Sequence, residues 1–228
     1  VVVIGRAEDE GARGDGQRQD GYHDDPAHVS TVGRDRATAR ARRWTRDELS
    51  AYAGRTIPDL LGPGLRLLFV GINPGLVSAA TGLHFARNGN RFYPALRAAG
   101  ILPADVLTPQ DAAPVLVERG VGITNMVPRA SARADELDDA ELREGRDRLE
   151  RLVTEHRPRV VAIAGITAYR TAFGDRKAAA GEQPGTFAGA RLWVVPNPSG
   201  LNAHASVASL AAAYAEAAEA AGLERISA

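Results

Sequence analysis

The sequence predicts an α/β fold in which a mainly parallel sheet is covered by helices on both faces. Short apolar runs of strand length recur along the chain, and longer stretches of helical character separate them. Loops rich in glycine, proline and asparagine follow two of these runs directly. In such a sheet ligands bind at the C-terminal ends of the strands, so those loops are where a site is expected.

Taken in order, residues 1–43 are polar, rich in glycine and charge and without hydrophobic period, the composition of a disordered tail. Arg34, Arg36, Arg40, Arg42 and Arg43 form a basic stretch at its end, readable as a non-specific phosphate contact or as a solvated linker. A single domain is expected over residues 44–228. It opens with Thr45 and Glu48 at capping-box spacing, for a short helix ending at Gly54. Buried strands are expected at Arg66 to Ile72 (RLLFVGI), Arg159 to Ala164 (RVVAIA) and Arg191 to Pro196 (RLWVVP), with a shorter one at Val121 to Thr124. Helices are expected over residues 91–99, 110–119, 138–156 and 167–173, and an alanine-rich helix over 207–221 closes the domain before Gly222. There is no internal repeat.

Composition narrows the class of protein. Apolar residues make up 44 % of the chain and charged residues 25 %, the balance of a soluble globular protein. No apolar run approaches the roughly 20 residues a membrane helix needs, and Val1-Val2-Val3-Ile4 is too short for a signal-peptide core. The absence of cysteine excludes disulfides, thiolate zinc sites and iron–sulfur clusters, and fits the cytoplasm. Acidic and basic residues cancel at 28 each, so net charge does not argue for nucleic acid. Lys177 is the only lysine, and the arginine bias is equally that of a GC-rich genome.

The first loop is Gly71-Ile72-Asn73-Pro74-Gly75, continuing to Gly82. Its glycines admit close approach of a ligand to the backbone, and Pro74 stiffens the turn. Read alone it is equally a tight turn with a satisfied asparagine; neither a Walker pattern nor G-x-G-x-x-G is present. The second, Pro196-Asn197-Pro198-Ser199-Gly200-Leu201-Asn202, pairs a rigid turn with one apolar residue. Leu201 there is either a wedge for a base stack or a leucine folded back onto the core.

Residues 62 to about 222 resemble the mismatch-specific uracil-DNA glycosylases and the related thymine-DNA glycosylases, members of the uracil-DNA glycosylase superfamily. The resemblance rests on GLRLLFVGINPGLVSAATGLHFARNGNRFYPALRAAG, on NPSGLN, and on Gly122-Ile123-Thr124-Asn125-Met126-Val127 between them. It implies the uracil-DNA glycosylase-like fold, a three-layer α/β/α sandwich around a short, mainly parallel sheet. It also implies a hydrolase of base excision repair that removes uracil, with ethenocytosine or thymine as further candidates, opposite guanine in double-stranded DNA. The expected partner is therefore duplex DNA with G:U or G:T mismatches, bound by a monomer that needs no cofactor or metal and works in the cytoplasm on the nucleoid.

By the same resemblance Asn73 is the catalytic residue. A carboxamide has no proton-accepting equilibrium near pH 7, so Asn73 would hold a water and offer its dipole to a developing sugar cation. Ile72, Ser78, Phe85 and Asn125 would bind the flipped base, with Phe85 stacking on it, and Ser78 either bonds the base or caps the next turn. Leu201 would fill the gap vacated in the stack, with Gly200 and Asn202 shaping the loop around the orphaned guanine, while Gly71, Pro74, Gly75, Asn197, Pro198 and Ser199 support the motifs. Uracil-exclusive relatives carry aspartate and histidine where Asn73 and Asn197 stand, so slow chemistry on bases that leave well is expected. At the position of Asn125 the mismatch-uracil branch commonly carries lysine and the thymine branch asparagine, which leaves the substrate range open. No lysine lies in the loops after Ile72, Thr124 or Pro196, which makes the enzyme monofunctional, leaving an abasic site. The alternative from another class is a non-catalytic DNA- or nucleotide-binding α/β module.

The five histidines lack metal-ligand spacing. His84 reads as a wall of the pocket, and His204, Arg129 and Arg133 read equally as phosphate contacts or surface residues.

Overall fold

The computed structural model describes residues 44–226, which belong to one compact unit. The tail expected over residues 1–43 lies outside the described residues.

Five strands form one sheet: β1 (Leu67–Gly71), β2 (Val121–Asn125), β3 (Val160–Ala164), β4 (Gly181–Phe187) and β5 (Ala190–Val195). Their spatial order is β2-β1-β3-β5-β4, and only the β4–β5 pair is antiparallel. The helices are α1 (Arg46–Ser50), α2 (Leu76–Thr81), α3 (Phe92–Ala98), α4 (Pro109–Glu118), α5 (Asp139–His156), α6 (Ile166–Phe173) and α7 (Val207–Ala220).

The central strands β1, β3 and β5 are buried almost throughout, Arg191 excepted, because each face of the sheet has its own helical layer. Leu67, Phe69, Ile123, Ala162, Trp193 and Val195 face α3, α4 and α7. Leu68, Val70, Val161, Ile163, Leu192 and Val194 face α5 and α6. The period-2 alternation sorts neighbouring residues to opposite layers, and the three-layer α/β/α sandwich follows. Phe69, fully buried against Phe92 and Tyr214, sits at the centre of the first layer; its truncation to alanine would cost about 3–5 kcal/mol.

Helix starts follow local chemistry. Thr45 and Glu48 form the expected capping box, but α1 stops at Ser50 and residues 51–54 are a turn. Asp138 with Glu141 and Ser206 with Ser209 cap α5 and α7 in the same way.

Two elements depart from the sequence expectation. The segment after Gly75 is not loop throughout, since α2 occupies Leu76–Thr81. The second is β4, an edge strand of sequence GEQPGTF in which only Gln183 and Phe187 are buried, with a register shift around Pro184. An edge strand tolerates a proline and needs no apolar alternation, so nothing in its pattern signalled a strand. It joins β5 through Ala188 and Gly189, both at positive φ, as a tight twisted hairpin demands.

The chain leaves β1 for β2 on one side and returns to β3 on the other. The crossover direction thus reverses at the C-terminal ends of β1 and β3, which opens a crevice there.

Candidate active site

A cleft of about 820 Å³ opens at the C-terminal ends of the parallel strands. The loop after β1, Phe85, Asn125, Ser131, the start of α6 and the loop after β5 all line it. Gly71 pairs in register with Asn125 at the last step of β1 and β2, which puts the first and middle motifs side by side. Beyond the sheet their loops stay zipped by backbone bonds, Met126 N to Gly71 O (2.8 Å), Val127 N to Ile72 O (2.9 Å) and Ser131 N to Pro74 O (3.1 Å). The Ile72 carbonyl is therefore committed to Val127.

Asn73 is held by its amide nitrogen. Nδ2 donates to the Arg129 carbonyl at 3.1 Å and to Ser131 Oγ at 2.7 Å. A carbonyl can only accept, so the nitrogen must lie on that side. Ser131 Oγ in turn donates to the Arg133 carbonyl at 2.6 Å, which leaves it an acceptor toward Asn73. Both hydrogens of the carboxamide are thus used, and Oδ1 is the polar atom of this side chain left for a water or a substrate. Ser131 is 3 % exposed, and the segment around it is pinned from the far side by Gly54 N to Ala130 O and Ala130 N to Arg55 O.

Arg129 completes this support. Its guanidinium grips Glu141 at the start of α5 through both carboxylate oxygens, and Nη2 also donates to Glu136 O at 3.0 Å. That hydrogen-bonded pairing holds the Glu141 carboxyl down at about 2. The Arg129 side chain is engaged with Glu141 and anchors the loop whose carbonyl holds Asn73. Arg133, at the rim, pairs with Asp135 and stays largely exposed.

One wall of the cleft is aromatic. Phe85 stacks on Phe92 at 4.0 Å between centroids and 24° between planes, one ring supporting the other at the cleft edge. Its backbone sits at φ 53, a conformation seldom taken by aromatic residues and one that aims the ring. Gly71 keeps the space open: a Cβ there would lie 2.6 Å from Asn125 Oδ1 and 3.3 Å from Phe85 Cζ. Ser78 is 4 % exposed and its Oγ accepts from Ala86 N at 3.3 Å, so it braces the Phe85 turn while lining the cleft.

Asn125 is oriented by a buried histidine. His84 Nε2 lies 3.0 Å from the Pro58 carbonyl and so carries the hydrogen. Burial lowers its pKa, outweighing the Pro58 bond and the nearby Asp59 charge, and the ring is neutral with Nδ1 as acceptor. Asn125 Nδ2 lies 3.3 Å from that Nδ1, which leaves Oδ1 on the Gly71 side. Tyr93 fixes the histidine further by donating from its hydroxyl to His84 O at 3.0 Å.

The loop after β5 carries its own scaffold. Ser199 N donates to Asn197 Oδ1 at 2.9 Å, Asn202 Nδ2 to Asn197 O at 3.0 Å, and His204 N to Asn202 Oδ1 at 3.2 Å. The polar side chains of Asn197 and Asn202 therefore shape the loop. Leu201 is 70 % exposed at its tip, so it is not folded onto the core. Asn197, Ser199, Leu201 and Asn202 line the cleft; Pro198 and Gly200 do not, lying instead against Arg91 and Gly89.

Sequence reading did not single out Ser131 or Arg91. Both act on groups distant in sequence, Ser131 on Asn73 and Arg91 on the 198–205 loop, and neither position carries a local pattern. Among the described residues there is no cluster of His, Cys, Asp and Glu that could hold a metal ion, and no helix is long and apolar enough to cross a membrane.

Residues 58–219 match the family model described as the uracil DNA glycosylase superfamily. Among solved structures, the chain is similar to the solution structure of a Methanosarcina acetivorans protein described as a candidate uracil DNA glycosylase, at 17 % identity. That similarity covers 71 % of this chain and 98 % of the other, with a TM-score of 0.49.

Proposed function

The chain belongs to the uracil DNA glycosylase superfamily, whose members are DNA N-glycosylases, and from that membership we propose a monofunctional, mismatch-specific enzyme. It would hydrolyse the N-glycosidic bond of uracil opposite guanine in duplex DNA and leave an abasic site.

The observation that carries this reading is the anchoring of Asn73 through both amide hydrogens. An amide held this way presents a fixed carbonyl dipole, which can orient a water and favour a developing positive charge on the sugar without reorganising. It cannot take a proton, so bond breaking must run ahead of water attack and depends on how well the base leaves. The base itself would be extruded from the duplex, at a cost of a few kcal/mol that is smaller for a mispaired base. It would enter between Phe85 and the loop after β1, with Asn125 Oδ1 facing its polar edge. Leu201, exposed on a braced loop, would occupy the gap left in the stack. Arg87 lines the cleft and would supply positive charge for a phosphate backbone locally, which the neutral overall balance does not.

The test is a duplex carrying one uracil opposite guanine, incubated with stoichiometric protein and then treated with alkali. Strand scission only after alkali supports a monofunctional glycosylase. An intact strand after alkali would remove the reading, and scission without alkali would remove its monofunctional part. Duplexes with thymine or ethenocytosine opposite guanine, run beside it, rank the substrates.

A further inference from the structure

Arg91 stands at the N-terminal boundary of α3, and its guanidinium turns away from that helix into the loop after β5. Nη1 donates to the Ala205 carbonyl, and Nη2 donates to the carbonyls of Ser199 and, at 2.8 Å, Asn202. The Arg91 backbone N–H adds a fourth bond, to Pro198 O at 3.0 Å. Arg91 has no carboxylate partner among the described residues, so its charge is engaged by loop carbonyls alone. Gly200 rests on the same segment: a Cβ there would meet the Gly89 carbonyl at 3.0 Å.

The consequence is geometric. Residues 198–205 turn their inner carbonyls onto one planar cation, which leaves Leu201 pointing outward at 70 % exposure. The loop supplies little apolar anchorage of its own; Pro198 and Ala205 are its buried apolar side chains. The residue after Arg91 is Phe92, the ring on which Phe85 stacks. A single short segment therefore carries both the support for the exposed leucine and the support for the aromatic wall of the pocket.

We propose that Arg91 is a positioning residue for base extrusion, holding the 198–205 loop in the shape that inserts Leu201 and setting its distance from the Phe85 platform. The inference rests on the glycosylase reading above. A loop ordered before contact loses less conformational freedom when its tip enters the stack, so extrusion is favoured before any chemistry occurs. Lysine cannot take this place, because one ammonium does not reach three carbonyls that a planar fork spans.

The test is a double-mutant cycle on a duplex with uracil opposite guanine and 2-aminopurine beside the uracil, read by fluorescence on binding and by single-turnover excision. Arg91→Ala and Leu201→Ala should each lower the fluorescence rise and the excision rate by roughly tenfold, and the double variant should be no worse than about twofold below either. Arg91→Lys should resemble Arg91→Ala, and it replaces that variant in the cycle if the alanine form does not fold. The proposal is overturned if the losses multiply in the double variant, or if either Arg91 variant extrudes and excises like the wild type. A wild type that leaves the uracil duplex intact would instead overturn the glycosylase reading itself. Activity with multiplicative losses would remove only the role of Arg91.

Discussion

The two loops that bracket the cleft are built in opposite ways. The loop after β1 is held by main-chain register: Gly71 pairs with Asn125, and Ile72 and Pro74 bond the backbone of the neighbouring loop. The loop after β5 is held by side chains, two asparagines within it and one arginine beneath it. Where chemistry needs an atom fixed to a fraction of an ångström, the sheet itself supplies the rigidity. On the proposed glycosylase reading the second loop is a tip that enters a base stack, and a braced but exposed loop suits that task. The first loop should accordingly be intolerant of an added atom at Gly71, where it meets Asn125 and Phe85, and the second most sensitive to loss of its braces.

The sharpest way to break that contrast is Gly71→Ala. Its methyl would press on Asn125 Oδ1 and the Phe85 ring, inside the space assigned to the base. Excision should fall by at least about 100-fold with the fold retained, judged by single-turnover rate and thermal melting together. Near-normal excision would mean that the base lies elsewhere.

Ser131→Ala should have a smaller effect. It removes one of the two acceptors that orient Asn73 while keeping the Arg129 carbonyl, so a loss of about tenfold in excision rate is expected. Ser131→Thr retains the oxygen and should recover most of it. Equal loss in both variants would argue for a packing role instead.

The smallest effect concerns the brace behind that loop. Glu141 titrates near 2 in the folded protein because Arg129 bonds its carboxylate, against an ordinary value of 4.5. A carboxyl with a depressed pKa contributes stability that is fully present above 4.5 and lost as pH falls toward 2. The difference in melting temperature between wild type and Glu141→Gln should therefore hold steady from pH 7 to about 5 and shrink as pH approaches 3. A difference that does not change with pH would show that the pair adds nothing electrostatic.

Much of this architecture was legible in the sequence, for reasons that also explain what was not. The parallel strands are buried on both faces, so β1, β3 and β5 read as apolar runs and β2 as a shorter one, and the loops at their C-terminal ends follow from the class of sheet. The Gly71–Gly75 and Asn197–Asn202 motifs stand at two of those ends and do line one cleft, Pro198 and Gly200 excepted. Strand β4 was hidden because an edge strand built on Gln183, Pro184 and Gly185 has no periodic signature. The short helix α2 starts from Gly75 without a side-chain cap, which removes the usual start signal. Ser131, Arg91 and the His84–Asn125 pair work through contacts across 41 to 114 positions of chain, a distance at which no local pattern survives.

The central claim is that the carbonyl oxygen of a clamped Asn73 aids bond breaking without acting as a base. Single-turnover excision of uracil opposite guanine by Asn73→Ala, with duplex affinity measured alongside, tests it most directly. A fall of about 100- to 1000-fold in rate, with affinity within about threefold of wild type, is the predicted result. A rate close to wild type would contradict the assignment of Asn73.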